Sequence, residues 1–304
     1  MSAPVQDRMV KAPLTVRQTP SATAPGPSPV PAPSRGRRPT TQAGWAACGL
    51  AALVVGFAGY LPALSELQQQ HAQAAAHRTF RDQLANAVAP TGPTADGAPV
   101  ALITVPALGL TETVVVEGTT GRDLMRGPGH RRDTALPGQP GVSVLFGRRV
   151  SFGGPFGRLD ELRAGDRIEV TTGLGRAVYT VNAFGDEDHP LTDQAPNRLV
   201  LVTGDSDLVP SSTRLVGARL DGDPHPDTGA RSALRPTDKA LAADRAALPA
   251  LQLWSLGLLV AVTATTLAVR LWHRWAAYLC AAPILAALVW SCYENAAALL
   301  PNLF

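Results

Sequence analysis

Residues 44–64 read GWAACGLAALVVGFAGYLPAL and carry no charged side chain. About 20 such residues in a row are what an α-helix needs to cross the hydrocarbon of a bilayer. Two more apolar runs, 251–269 and 276–300, come late in the chain, separated by the basic RLWHRW at 270–275. Lipid offers no hydrogen bonds, so a spanning run must satisfy its backbone within a helix, and all three are expected to be helical. Arg35, Arg37 and Arg38 precede the first run, and Arg270 and Arg274 lie between the last two. The bias of basic residues toward the cytoplasm puts both clusters inside and the middle of the chain outside. A cleaved signal peptide is the competing explanation of the first run. Signal-peptide apolar cores are only about 7–15 residues long, and here a long polar tail comes first, which favours an anchor.

These runs divide the chain. Residues 1–42 are rich in Pro, Ser, Ala and Thr, bury too little to offset their ordering entropy, and are expected to form a disordered cytoplasmic tail. Residues 43–64 form the first span, and 65–97 an exposed helical stalk with a thin apolar stripe. Residues 98–221 form a folded domain and 222–250 a linker. The second span covers 251–270, a cytoplasmic loop 271–275 and the third span 276–300, with 301–304 emerging outside. Trp254, Trp272 and Trp275 are placed near the interfaces. Glu294 has two readings: a costly and therefore functional intramembrane carboxyl, or part of a Tyr293-Glu294-Asn295 boundary to a shorter span. Within 98–221, runs such as ALITV, TVVVEG, VSVLFG, RIEVTT, AVYTVNAF, RLVLVTG and RLVGARL are short, β-branched and bounded by Gly, Pro, Asp or Asn. They predict a mainly β domain of seven or eight strands closing into a barrel. The formal charge of +3 is partly accounted for by the topogenic arginines and gives no case for nucleic acid.

Five stretches add a likeness. They are GPGHRR at 127–132, TALPGQPG at 134–141, FGRRVSFGGPFGRLDELRAGDRIEV at 146–170, LVLVTGDS at 199–206 and STRLVGARL at 212–220, after an ITVPALGL opening at 103. In order and spacing this ladder resembles the sortases, membrane-anchored cysteine transpeptidases of Gram-positive bacteria, and the actinobacterial class E or D type in particular. The resemblance implies a catalytic His at the position of Arg148, a nucleophilic Cys at the position of Gly204, and a retained Arg at Arg214. Arg149, His130, Asp205 and Ser206 are the other candidates for the groove.

Cysteine usage bears on the chemistry. Cys48, Cys280 and Cys292 are the three cysteines, and each falls within a proposed span. A sortase-type reaction needs a thiolate to form a thioester, a His to protonate the leaving amine and an Arg for the oxyanion. Gly204 has no side chain, and an arginine at 148 stays protonated. A substitute nucleophile such as Ser206 or Ser143 requires an adjacent base, for which the domain offers His130 in its turn and His189 in an exposed loop. Asp186, Glu187, Asp188 and Asp193 crowd one loop and read as a solvated acidic loop or, with less support, as oxygen ligands for Ca²⁺. No metal or cofactor is called for. Arg148 and Arg214 either make a fixed positive cleft for a carboxylate or wall polymer, or Arg148 pairs with Asp205 or Asp207 and fills vacated space. The expectation is a membrane-anchored extracellular sortase-like protein without transpeptidase activity. It is read as a binding or accessory factor, its partners a sorting-signal peptide, an active sortase or a cell-wall component. The alternative is a divergent sortase or hydrolase with a substitute nucleophile.

Overall fold

Strand formation follows the side-chain alternation. In the run from Gly175 to Asp186, every second residue from Ala177 to Ala183 is buried while its neighbours are not, the period-2 pattern of a strand with one face in a core. The computed structural model describes residues 39–193, 195–206, 210–227, 229–271 and 274–304. The strands are β1 Pro99–Val105, β2 Leu110–Glu117, β3 Gly129–His130, β4 Val142–Phe146, β5 Arg167–Thr172, β6 Gly175–Asp186, β7 Arg198–Gly204 and β8 Thr213–Asp221. They close in the order β1-β2-β3-β4-β7-β8-β6-β5, with β5 returning antiparallel to β1. Closure leaves no unpaired edge. Ile103, Leu145, Phe156, Ile168, Tyr179 and Leu201 lie in the interior.

Two features of the barrel define its working rim. β4 and β7 run parallel, from Val142 opposite Arg198 to Phe146 opposite Val202, so both strands end at one rim. Their outward residues Val144, Phe146, Val200 and Val202 are buried too, in a second cluster with Leu124 and Leu303. Leu124 ends the short helix α3 Gly121–Leu124, which a Thr120–Asp123 capping box starts.

Among the described residues, three helices are long and apolar enough to cross a membrane, over Ala47–Ala85, Arg245–Leu271 and Arg274–Ala297. The first comprises α1 Pro39–Gly59, a π-helical turn Tyr60–Leu64 and α2 Ser65–Ala85. The others are α4 Leu248–Leu271 and α5 Arg274–Ala297. α1 starts at Pro39, so the last residues of the expected tail are helical; residues 1–38, Trp272 and Asp207 lie outside the described residues. Tyr293 Oη on α5 donates to the Leu53 carbonyl of α1 at 2.8 Å. Glu294 sits near the end of α5 beside Asn295, which accepts from Arg122 of α3, at the barrel side of the span.

The expected stalk is a helix, but it lies on the barrel. Phe80 of α2 is fully buried against Leu102, Val114 and Val116. Gln73 imitates a strand edge: its Oε1 accepts from the Val114 amide at 2.8 Å and its Nε2 donates to the Val114 carbonyl at 2.9 Å. A thin stripe suffices because the amide of Gln73 supplies the polar half of the docking.

Likewise the expected linker after β8 is an ordered strap. His225 N–H donates to the Gly138 carbonyl, and Ser232 N–H to that of Arg132. Buried Arg132 reaches Asp238 of the strap (Nε to Oδ2, 2.8 Å) and Asp96 (Nη1 to Oδ1, 2.6 Å), and Arg235 closes on Asp96 at 2.6 Å. The hydrogen bond from Arg132 holds the Asp96 carboxyl below its ordinary value. A carboxylate with a depressed folded value stabilises the fold above its unfolded pKa and loses that contribution as pH falls through the folded one. The melting temperatures of wild type and Asp96→Asn are therefore expected to differ at neutral pH and to converge below about pH 4.

Candidate functional site at the ends of the parallel strands

Beyond Phe146 the chain crosses the rim as Gly147-Arg148-Arg149. Gly147 N–H donates to the Val202 carbonyl at 3.0 Å, and Thr203 Oγ1 donates to the Gly147 carbonyl at 3.0 Å, so the end of β4 is tied to the end of β7. Phe156 packs directly over Gly147, in the space any side chain there would take. In the β7–β8 ladder Arg214 lies opposite Thr203, and Gly204 opposite Thr213. Gly204, Arg149 and Arg214 therefore meet at one point of the rim.

The electrostatics there are set by Asp160, from the 3-10 turn Leu159–Glu161. Its Oδ2 pairs with Arg149 Nη2 at 3.0 Å and its Oδ1 with Arg214 Nε at 2.8 Å. Arg149 Nη1 also reaches the Gly204 carbonyl, at 3.5 Å. The rim is thus an Arg-Asp-Arg cluster rather than a bare cation site. A cavity of about 340 Å³ opens beside it, lined by Asp160, Phe184, Asp186, His189 and Arg214 among others.

Arg148 goes elsewhere, away from the cleft and from Asp205. Its side chain is fully buried and turns from the cleft toward Phe152, which packs with Tyr60, Met125 and Ala298 in an apolar cluster at the ends of the membrane-length helices. Nη1 donates to Ser151 Oγ at 2.9 Å, Nη2 donates to the Gly121 carbonyl at 3.0 Å, and the guanidinium lies 5.0 Å from the centre of the Phe152 ring. Its Nε has no partner among the described residues. Burial draws its pKa down to about 9, which leaves it a cation at neutral pH. Asp205 does not meet it: the Asp205 carboxylate accepts from the amide and hydroxyl of Ser211. Ser206 follows on the same loop.

His130 is buried away from the groove. Its Nδ1 faces Glu117 Oε2 at 2.9 Å and its Nε2 faces the Ala135 carbonyl at 2.9 Å. Thr134 Oγ1 also lies 3.2 Å from Nε2, so both ring nitrogens face partners other than a serine. Ser143 Oγ is buried without a partner among the described residues. His189 is exposed and pairs with Asp186 at 3.0 Å. Asp186 accepts from the amides of Asp188 and His189, and Asp193 from the Ala195 amide, so both acids serve their own loop.

The sortase-domain family profile matches residues 103–217, a span that runs from within β1 into β8 and takes in the whole rim. The barrel is a sortase domain. Bacillus subtilis sortase D is 36% identical to this chain over 70 residues, which are 23% of the chain and 34% of that protein; the chain thus matches about one third of the length of this relative. Among solved structures, a Clostridium perfringens sortase D5 transpeptidase is 22% identical, with 50% of this chain and 99% of that one covered and a TM-score of 0.43. Sortase E from Streptomyces avermitilis is 30% identical, with 47% and 100% covered and a TM-score of 0.36.

Sequence reasoning missed two parts of the sortase-domain rim. Asp160 stands within the PFGRLDEL stretch, but only the turn that presents it shows that it joins two arginines. The other is 301–304, which folds back onto the domain: the Leu303 carbonyl accepts from the Arg149 amide at 3.2 Å. A Cβ on Gly204 would lie 2.8 Å from Pro210 Cβ and 3.2 Å from the Leu303 oxygen. Gly204→Cys is therefore expected to destabilise the protein by about 1–3 kcal/mol through overpacking, read by thermal unfolding beside Thr203→Ser as a control.

Proposed function

We propose that the protein is a membrane-anchored, cell-surface sortase-fold protein of the class E/D type that binds rather than cuts. It serves as an accessory factor in surface-protein anchoring or wall assembly, with the barrel outside and the arginine clusters at 35–38 and 270–274 inside. The observation that carries this reading is the distribution of thiols. All three cysteines lie in the apolar helices, exposed or half-exposed there, and residues 98–221 contain none. Without a thiolate near Arg214 there is no group to attack a peptide carbonyl and hold it as a thioester. A serine substitute gains nothing from the geometry, since His130 spends its nitrogens on Glu117 and Ala135. The rim keeps the means to position a peptide: arginines with fixed orientation and an adjoining cavity.

The partner that best suits this arrangement is a sorting-signal peptide, on its own substrate protein or on its way to an active sortase. The test is a titration of the full chain in nanodiscs with a fluorescent Leu-Pro-x-Thr-Gly-type peptide. Saturable binding is the expected result, weakened by Arg214→Ala. No binding at any concentration up to the millimolar range would remove the peptide partner from the proposal.

A further inference from the structure

Residues 300–304, Leu-Pro-Asn-Leu-Phe, follow the third apolar helix and occupy the outer face of β4 and β7. The Leu303 side chain is fully buried on a floor of Val144, Phe146, Val200 and Val202. Its carbonyl accepts from Arg149 N–H, and Ser151 Oγ donates to the Phe304 carbonyl at 2.7 Å. The segment turns tightly, with Phe304 N–H donating to the Pro301 carbonyl at 3.0 Å. The strap holds it from behind: Asn302 Nδ2 donates to the carbonyls of Thr237 and Lys239 at 2.8 and 2.9 Å, and Asn302 N–H to that of Ala242 at 2.9 Å. Each bond to the barrel uses backbone or a hydroxyl, and the barrel-facing anchor is a single leucine in an apolar socket. This is how a bound peptide is gripped, by main-chain hydrogen bonds for affinity and a side-chain pocket for choice.

Gly204 completes the fit. The Leu303 carbonyl lies 3.2 Å from where a Cβ at 204 would stand, against Pro210 on the other side. The space a side chain at 204 would take is shared by Pro210 and the Leu303 carbonyl. We propose that residues 300–304 are a cis ligand of the β4–β7 face, a latch that ties the α4–α5 hairpin to the sortase domain and that seats only because residue 204 is glycine. This goes beyond the accessory role and stands whether or not that role is correct. It gives glycine at 204 a use of its own. It also means that any trans peptide competes with a resident one at high effective concentration.

The experiment uses the full chain in nanodiscs and a fluorescent peptide of residues 297–304, followed by anisotropy. Binding to wild type is expected to be at least about tenfold weaker than to a variant lacking 300–304, because the groove is free in only a small fraction of wild-type molecules. Restoring a side chain with Gly204→Val in the shortened variant is expected to abolish binding. Equal binding to wild type and the shortened variant, or no binding to the latter while it melts cooperatively, would overturn the latch. Should the shortened variant not fold, amide exchange of 298–304 in full-length Gly204→Val decides the matter. Exchange at least about tenfold faster than in wild type supports the latch; unchanged protection refutes it. A Leu-Pro-x-Thr-Gly-type peptide run in parallel separates the two proposals: its binding without that of the 297–304 peptide sinks the latch alone, and the reverse sinks only the sorting-peptide role.

Discussion

Asp238→Ala is expected to cost about 3–5 kcal/mol, because it removes the buried partner of a buried cation. The side chains of Arg132 and Asp238 are 3% and 0% exposed. With the carboxylate gone, Arg132 keeps as its acidic partner among the described residues only Asp96, whose side chain is 37% exposed. The same substitution strips the acceptor from Arg235 N–H, which Asp238 Oδ2 caps at 2.9 Å. A domain is commonly stable by only about 5–15 kcal/mol, so the loss would be visible as a large drop in melting temperature in detergent. Replacing both partners, Arg132→Met with Asp238→Leu, is expected to recover most of it, since the penalty is the unpaired charge. A loss below about 1 kcal/mol for Asp238→Ala would mean that the strap does not depend on this pair.

Phe80→Ala is the second large effect, about 3–5 kcal/mol, the usual cost of emptying a fully buried phenylalanine site. Phe80 is 0% exposed, and the residues around it, Leu102, Val114 and Val116, belong to β1 and β2. Because α2 continues the first apolar helix through the π-helical turn, the substitution loosens the barrel from its anchor as well as opening a cavity. Denaturant unfolding followed by far-UV circular dichroism at strand wavelengths measures the first effect, since no tryptophan lies within 65–221. The second appears as new protease sites within 65–85. A well-protected helix after Phe80→Ala would place the docking energy on Gln73 instead.

Local pattern made the helices and strands legible. Uncharged length announces a span, and alternation within Gly/Pro-bounded runs announces a strand; neither signal needs a distant partner. The Gly-Pro ladder from 127 to 220 carried the family for the same reason. The fate of Arg148 was not legible, because its surroundings come from Ser151, Gly121 and Phe152 together with the apolar cluster built around Tyr60, far apart in the chain. The strap failed similarly. A Pro-rich, Asp-rich stretch looks like a solvated linker until Arg235 and Asp238 are seen to answer Asp96 and Arg132. Residues 301–304 read only as emerging outside, since nothing in Pro-Asn-Leu-Phe reveals the apolar socket between β4 and β7 that takes Leu303. Gly204 was visible as a missing side chain, but its neighbour in space, the Leu303 carbonyl, was not.

The proposal that this sortase fold binds without cutting requires that no acyl intermediate forms. Intact-mass analysis of the full chain, incubated with a Leu-Pro-x-Thr-Gly-type peptide and an oligoglycine acceptor, tests this most directly. The expected result is an unmodified protein mass and uncut peptide, for wild type and for the variant lacking 300–304 alike. A mass increase matching the acylated peptide fragment, mapped to any residue of 98–221, or a transpeptidation product dependent on Ser206 or Ser143, would contradict it.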